Sequence, residues 1–256
     1  MTYGLLKTVR RTPIDSHTIL WWPFEETIKP FENYGHGDPC SLSVISGSPS
    51  PGLDGLFNSC IDEDSGAGGL LQAPSNNVHP VGNFTTVSLW VRPQSLVPTG
   101  YPIIATRTYD DVGTSLYTWQ FFLIDSAPQG EWAVQLQMTT GTHILDTPGG
   151  TPSSRVPPSR LVVDQWQMLA FTHDAAAGVA NMFLNGVLVG QKTEVGEPGI
   201  GNPLDYSHAG YYEFFNFSGT GGRPFFVGRM CDVRVEDIVR TPSYLRAMYC
   251  AGVGLL

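Results

Sequence analysis

Carboxylates fall in three clusters along the chain: Glu25-Glu26, Asp62-Glu63-Asp64, and Asp232 with Glu236-Asp237. Glycoside hydrolysis needs two carboxyl groups flanking the scissile bond, which on a strand means alternating positions on one face. None of the three clusters supplies that arrangement on a convincing strand. The histidines His17, His36, His79, His143, His173 and His208 are scattered, and no Gly-x-Ser-x-Gly nucleophile elbow occurs. His173, next to Asp174 at the end of an apolar run, reads as a satisfied surface histidine. The residues therefore predict a protein without a catalytic set. Asp62 and Asp64, in a glycine-rich loop, offer oxygens to a hard cation such as calcium. Their spacing is not that of an EF-hand, and a solvated turn is the plainer reading. No other cofactor is called for.

The remaining chemistry is recognition. The stretch Glu194–Arg223 carries Tyr206, His208, Tyr211, Tyr212, Phe214, Phe215 and Phe217 among glycines and asparagines. Tyr and Phe clustered on a loop make a ligand or partner surface. The same residues, folded back, make a satellite core, and the sequence leaves the two readings open. At the N-terminus, residues 1–17 show no periodicity and bear Lys7, Arg10 and Arg11. They read as an arm that anchors the chain to a neighbouring subunit.

The elements that must position these groups are strands. Trp166 to Gly190 divides into a strand from Trp166 to His173, a turn at Asp174–Gly178, a strand from Val179 to Leu184, and then Asn185-Gly186. Asn-Gly between apolar runs is a hairpin signal, because both residues accept the positive φ of a type I′ turn. Further strands are expected at residues 18–24, 84–92, 102–108, 118–125, 131–137 and 225–235, all rich in β-branched and aromatic residues. In one of them Trp119, Phe121 and Leu123 share a face and Gln120, Phe122 and Ile124 share the other. In the next, Trp132, Val134 and Leu136 alternate with Ala133, Gln135 and Gln137. Residues 29–69 and 141–163, rich in Gly, Pro and Ser, read as loops, the former with brief edge strands at Leu42–Ile45 and Leu56–Ile61. Thr241 as N-cap and Pro242 at the first helical position start a short C-terminal helix.

Four stretches in order resemble the LamG-like, concanavalin A-like jelly-roll family. They are Ile19–Glu26, Phe84–Pro93, Trp166–Gly190, and Phe226–Val235 with the following Thr241–Tyr249. The resemblance covers roughly residues 18 to 250. It implies an all-β fold, an antiparallel two-sheet jelly-roll β-sandwich with a short C-terminal helix. On this reading residues 1–17 are an arm, residues 18–256 one domain, and residues 194–223 an aromatic insertion where relatives have a compact loop. The resemblance also implies a shallow concave sheet face, where a row of Gln and aromatic side chains binds sugar by ring stacking and amide hydrogen bonds. In the closing strand, Cys231 and Asp232 stand where relatives often have Asp-Glu, which weakens any calcium site inherited by analogy. The fold alone does not fix an activity.

Composition narrows the partners. The 256 residues include 29 Gly and 20 Pro, only 14% are charged, and the formal charge is −9. A chain so acidic, with no basic stripe, has no means of releasing counterions from a nucleic acid. No apolar run is long enough to span a membrane, and the N-terminal stretch lacks the pattern of a secretory signal. Cys40, Cys60, Cys231 and Cys250 admit three disulfide pairings. Reduced buried thiols are the expectation without export. The sequence thus points first to a non-enzymatic structural or attachment component of a larger, multi-copy or homo-oligomeric assembly, most concretely a tailed-phage virion protein of the decoration, tail or fibre type. The alternative is a carbohydrate-binding module that mediates glycan adhesion, in an extracellular setting. A divergent glycanase is the third reading.

Overall fold

A computed structural model describes residues 11–26, 30–52, 55–57, 59–63, 68–75, 83–94, 102–111, 114–126, 131–140, 143–147, 161–193, 200–204, 206, 209–216 and 225–255. The strands, in chain order, are β1 (Thr18–Trp22), β2 (Ser43–Ser46), β3 (Ser50–Gly52), β4 (Cys60–Glu63), β5 (Leu70–Pro74), β6 (Phe84–Pro93), β7 (Ile103–Asp111) and β8 (Thr114–Ser126). They continue as β9 (Glu131–Thr140), β10 (His143–Thr147), β11 (Gln167–Asp174), β12 (Val179–Leu184), β13 (Val187–Thr193), β14 (Gly210–Phe214) and β15 (Gly228–Glu236). The helix α1 (Pro242–Gly252) closes the chain.

These strands form two antiparallel sheets. Eight of them lie in the order β13-β12-β11-β6-β15-β4-β3, with β1 also paired to β15, and seven in the order β10-β9-β8-β7-β14-β5-β2. The architecture is the two-sheet sandwich that the sequence patterning and the resemblance imply. The sheets meet over aromatic side chains. Trp22 of β1 is fully buried and packs edge-on to Tyr212 and Phe214 of β14, each 5.7 Å away between ring centroids, while its indole N–H donates to the Cys40 carbonyl at 2.9 Å. Trp119 of β8 lies 5.6 Å from Phe171 of β11. These contacts fix which face of each strand is core, since side chains alternate along a strand and directly opposed residues share a face.

The Asn185-Gly186 turn forms as its residues require. Both have positive φ, +55° and +70°, and the Asn185 side-chain oxygen accepts the Met168 N–H at 3.0 Å. A Cβ on Gly186 would lie 2.7 Å from the Cα of Arg246 in α1, so packing as well as conformation demands glycine. The helix begins as expected, with Thr241 Oγ1 accepting the Tyr244 N–H at 3.2 Å and Pro242 in its first turn. Its Tyr249 stacks on Trp90 of β6, ring centroids 5.8 Å apart.

Three segments read as loops differ from expectation. Residues 143–147 pair with β9, and residues 50–52 pair with β4. Within the aromatic insertion, residues 210–214 form β14, an interior strand between β7 and β5. Each is short and carries glycine or proline nearby, so its strand character comes from neighbours that supply the ladder. The expected arm is also different where it is described. Arg11 pairs with Glu25, donates to the Pro23 carbonyl at 3.0 Å and to Ser59 Oγ at 2.9 Å, and lies over the Phe57 ring. Arg234 donates to the Thr12 carbonyl at 2.7 Å, and Arg240 to Asp15 at 2.7 Å. Residues 11–15 therefore dock on their own domain, because this domain supplies the carboxylates and rings a guanidinium seeks. Lys7 and Arg10 lie outside the described residues.

Candidate functional site

The outer faces of the two sheets are built differently. On the eight-stranded sheet, the outer face is closed by residues 11–15 and α1. Beneath them, Asp232 (2% exposed) accepts the Trp21 indole N–H at 2.6 Å and both Arg234 Nη2 contacts at 3.1 Å. Glu236, fully buried, accepts Arg240 Nη2 at 2.6 Å and the Thr18 hydroxyl at 3.1 Å. Asp232 sits at φ +50°, at an irregularity in the pairing of β15 with β6. The carboxylates Asp232 and Glu236 are thus held in ion pairs and covered, an arrangement that locks a surface rather than one that offers two carboxyl groups to a sugar.

The seven-stranded sheet carries on its outer face a row of polar residues in register across β2, β5, β14, β7 and β8. Ser43 of β2 opposes Gln72 of β5, and Gln72 opposes Glu213 of β14. Glu213 opposes Thr106 of β7, and Thr106 opposes Gln120 of β8. The register continues to Gln137 of β9 and Asp146 of β10. Glu213, Thr106 and Gln120 are buried to 1% exposure or less and form a floor. Gln72 is half-buried and Ser43 exposed, so the row opens to solvent at the β2–β5 end. Gln72 Nε2 donates to Glu213 Oε1 at 2.9 Å, which fixes the amide flip and turns the Gln72 carbonyl oxygen away from the carboxylate. Two residues along β14, on the same face, Tyr211 is 40% exposed. An exposed ring beside an oriented amide is a combination that suits a sugar, with one face apolar and its edge lined by hydroxyls.

The aromatic insertion divides by alternation. Tyr212 and Phe214 point into the core, fully buried, and Phe215, at φ +70°, stacks on Phe226 with centroids 6.2 Å apart. Tyr206 is buried with its ring 5.1 Å from the Arg107 guanidinium carbon, and burial pushes its hydroxyl pKa up to about 12. Of the six aromatics named from sequence as a surface, Tyr211 faces solvent, four are core, and Phe217 lies outside the described residues. The reason is period-2 patterning across β14, which puts neighbouring rings on opposite faces. Among the described aromatics of this stretch, all but Tyr211 are part of the core.

Of the two calcium candidates, Asp62 is described. Asp62 sits in β4 with its carboxylate 2.7 Å from the Arg229 side chain across the strand pair, and Asp64 lies outside the described residues. Among the described residues no three His, Cys, Asp or Glu side chains gather as a metal centre. A carboxylate committed to a guanidinium does not fit a hard-cation ligand. His173, expected at the surface, is 1% exposed; its Nε2 lies 2.9 Å from the Ile200 carbonyl, to which it donates. Burial lowers its pKa and keeps the ring neutral. Gln72 and Glu213 do not stand out as site residues on a reading of residue types. Their signal was the spacing of Glu213 two after Tyr211, which becomes legible only once β14 is known to be a strand.

Residues 64–245 match the family model described as the concanavalin A-like lectin/glucanases superfamily. No curated protein matches the chain. Among solved structures, the chain is similar to domain 4 of an extracellular arabinanase from Geobacillus stearothermophilus in complex with arabinotriose, at 17% identity and a TM-score of 0.60, covering 91% of this chain and 98% of that one. It is also similar to the binding domain of botulinum neurotoxin DC in complex with rat synaptotagmin II, at 11% identity and a TM-score of 0.62, covering 92% of this chain and 52% of that one. The botulinum neurotoxin type C structure, whose cell entry depends on two ganglioside molecules, matches at 12% identity and a TM-score of 0.62, covering 92% and 51%. The chain spans about half the length of these toxin domains, and at such identities the likeness is one of fold. No helix among the described residues is long and apolar enough to cross a membrane. Because the family model covers well over half of the residues, on a sandwich of the same architecture, the chain belongs to the concanavalin A-like lectin/glucanases superfamily.

Proposed function

We propose that the protein is a non-catalytic glycan-binding module that works through the outer face of its seven-stranded sheet. The observation that carries this reading is the cross-sheet polar row with Tyr211 exposed beside it on β14. Tyr211 supplies the stacking ring, the Gln72 carbonyl oxygen accepts from a sugar hydroxyl, and Ser43 adds a hydroxyl at the rim. Glu213 orients Gln72 and leaves the ligand contacts to its neighbours. Two of the similar structures are described with glycans, arabinotriose in one and gangliosides in the other, and this supports glycan as the ligand class.

The attachment component of a larger assembly, and the virion protein in particular, has no comparable support. The described part of the arm is occupied with its own domain. An extracellular place of action accords with glycan binding and is proposed with it. The test is a glycan array probed with the full chain, followed by calorimetry with arabinotriose and with any glycan retained. Binding that falls about tenfold in Tyr211→Ala, with an unchanged unfolding midpoint, is the expected result. An array on which the folded chain retains nothing would overturn the reading.

A further inference from the structure

Two of the four cysteines lie where a cross-strand bond can form. Cys60 opens β4 and Cys231 lies in β15, and the two strands pair antiparallel through Gly228 with Glu63, Arg229 with Asp62, and Met230 with Ile61. Continuing that register by one residue on each strand sets Cys231 opposite Cys60. Cys231 lies opposite Trp90 of β6, whose ring stacks on Tyr249 of α1, so both cysteines lie on the face under α1, and both are fully buried. Directly opposed Cα atoms of an antiparallel pair are about 4.5–5.5 Å apart, inside the span a disulfide bridges. The other two cysteines are placed elsewhere. Cys40 Sγ lies 3.0 Å from the Pro74 carbonyl, at the other sheet, and Cys250 is in α1.

In the present structure the four cysteines are thiols. The Cys60 sulfur leans toward β3, since a Cβ on Gly52 would lie 2.7 Å from it. Rotation about its Cα–Cβ bond to another staggered position would turn it toward β15. Burial pushes the Cys231 pKa up, and Asp232 and Cys60 add to that shift. Thiolate chemistry therefore belongs to the stage at which the chain is folding, before residues 11–15 and the segment around Phe57 close over this face.

We propose that Cys60 and Cys231 form a disulfide that clasps β4 to β15 when the protein folds in contact with a disulfide oxidant of the glutathione class. One protein thiolate attacks the oxidant's S–S bond, forming a mixed disulfide and releasing one small thiolate. The second protein thiolate displaces the other half. Two protein thiols and one oxidant disulfide thus become one protein disulfide and two small thiols, which carry off the two protons. The β4–β15 ladder is short, and β3 is attached to the sheet through β4. The bond would pin this edge of the sandwich and suits an oxidising compartment. It stands independently of glycan binding.

The test refolds the full chain from guanidinium in reduced and oxidised glutathione, beside a sample kept in phosphine reductant. Both are then denatured, alkylated, weighed intact and peptide-mapped. In the oxidised sample, two of the four cysteines should escape alkylation, in a peptide joining Cys60 to Cys231. The unfolding midpoint should rise by roughly 10 °C over the reduced protein. In the double variant Cys60→Ser/Cys231→Ser the midpoint should no longer respond to reductant. If that variant does not fold, the wild-type map still decides. Full alkylation of all four in the oxidised sample, or a crosslink confined to Cys40 or Cys250, overturns the proposal.

Discussion

The two outer faces of this sandwich use similar residues to opposite ends. On the eight-stranded sheet, Arg11, Asp232 and Arg234 form one set of ion pairs and Asp15, Glu236 and Arg240 another, under residues 11–15 and α1. On the seven-stranded sheet, a row from Ser43 to Gln120 is anchored by one carboxylate, Glu213, with an exposed ring, Tyr211, two residues along β14 from that carboxylate. Buried ion pairs contribute little net stability when intact and cost much when broken. A row with its open end in water keeps hydrogen-bonding capacity for a ligand. The difference separates charges that hold a surface shut from polar groups that keep one usable.

The sharpest way to break the comparison is Asp232→Ala. It strands the fully buried Arg234 guanidinium and places alanine at φ +50°, so unfolding free energy should drop by about 3–5 kcal/mol in denaturant titration. Asp232→Asn keeps a residue that tolerates that φ and still accepts from Trp21, and its loss should be smaller. Glycan affinity should be unchanged in whichever variant remains folded. A loss of affinity at constant fold would mean that the closed face takes part in binding.

Acid should act next. His173 has its pKa lowered below the usual 6.5 by burial, so the folded state resists a proton that the unfolded state accepts. Its contribution is intact above pH 6.5 and is lost as pH falls through the lowered folded value. Thermal melts should show a decline below pH 6.5 that is shallower in His173→Gln. Equal slopes in the two proteins would assign the acid sensitivity to other groups.

On the open face the expected effects are on binding. Tyr211→Ala should weaken glycan binding about tenfold, equivalent to ~1.4 kcal/mol, with stability changed by less than about 0.5 kcal/mol. Gln72→Ala, which removes one amide contact, should cost about threefold by calorimetry. If Tyr211→Ala instead destabilises the fold by more than ~2 kcal/mol, approaching the roughly 3–5 kcal/mol of a core aromatic cut to alanine, its ring packs rather than binds, and the two faces are alike.

Much of this was legible in advance, because it rests on local rules. Asn185-Gly186, the alternation through Trp119–Leu123, and Thr241-Pro242 each name their own conformation, and the structure has a turn, a strand and a helix start at those places. The site was less legible. Gln120 was placed on the face opposite Trp119, but Glu213 and Gln72 are adjacent only through the pairing of two strands far apart in sequence. A short strand such as β14 has little local signal of its own, so its rings read as one surface when they belong to two.

The sequence by itself determined the class of fold, the hairpins and the helix start, since these depend on periodicity and on the φ preferences of single residues. Only the tertiary structure decided which face of each strand met the other sheet, that residues 11–15 fold onto their own domain, and that Tyr211 alone among the described aromatics of its stretch turns outward. Those outcomes depend on register, and register is set by which distant strand supplies the partner hydrogen bonds.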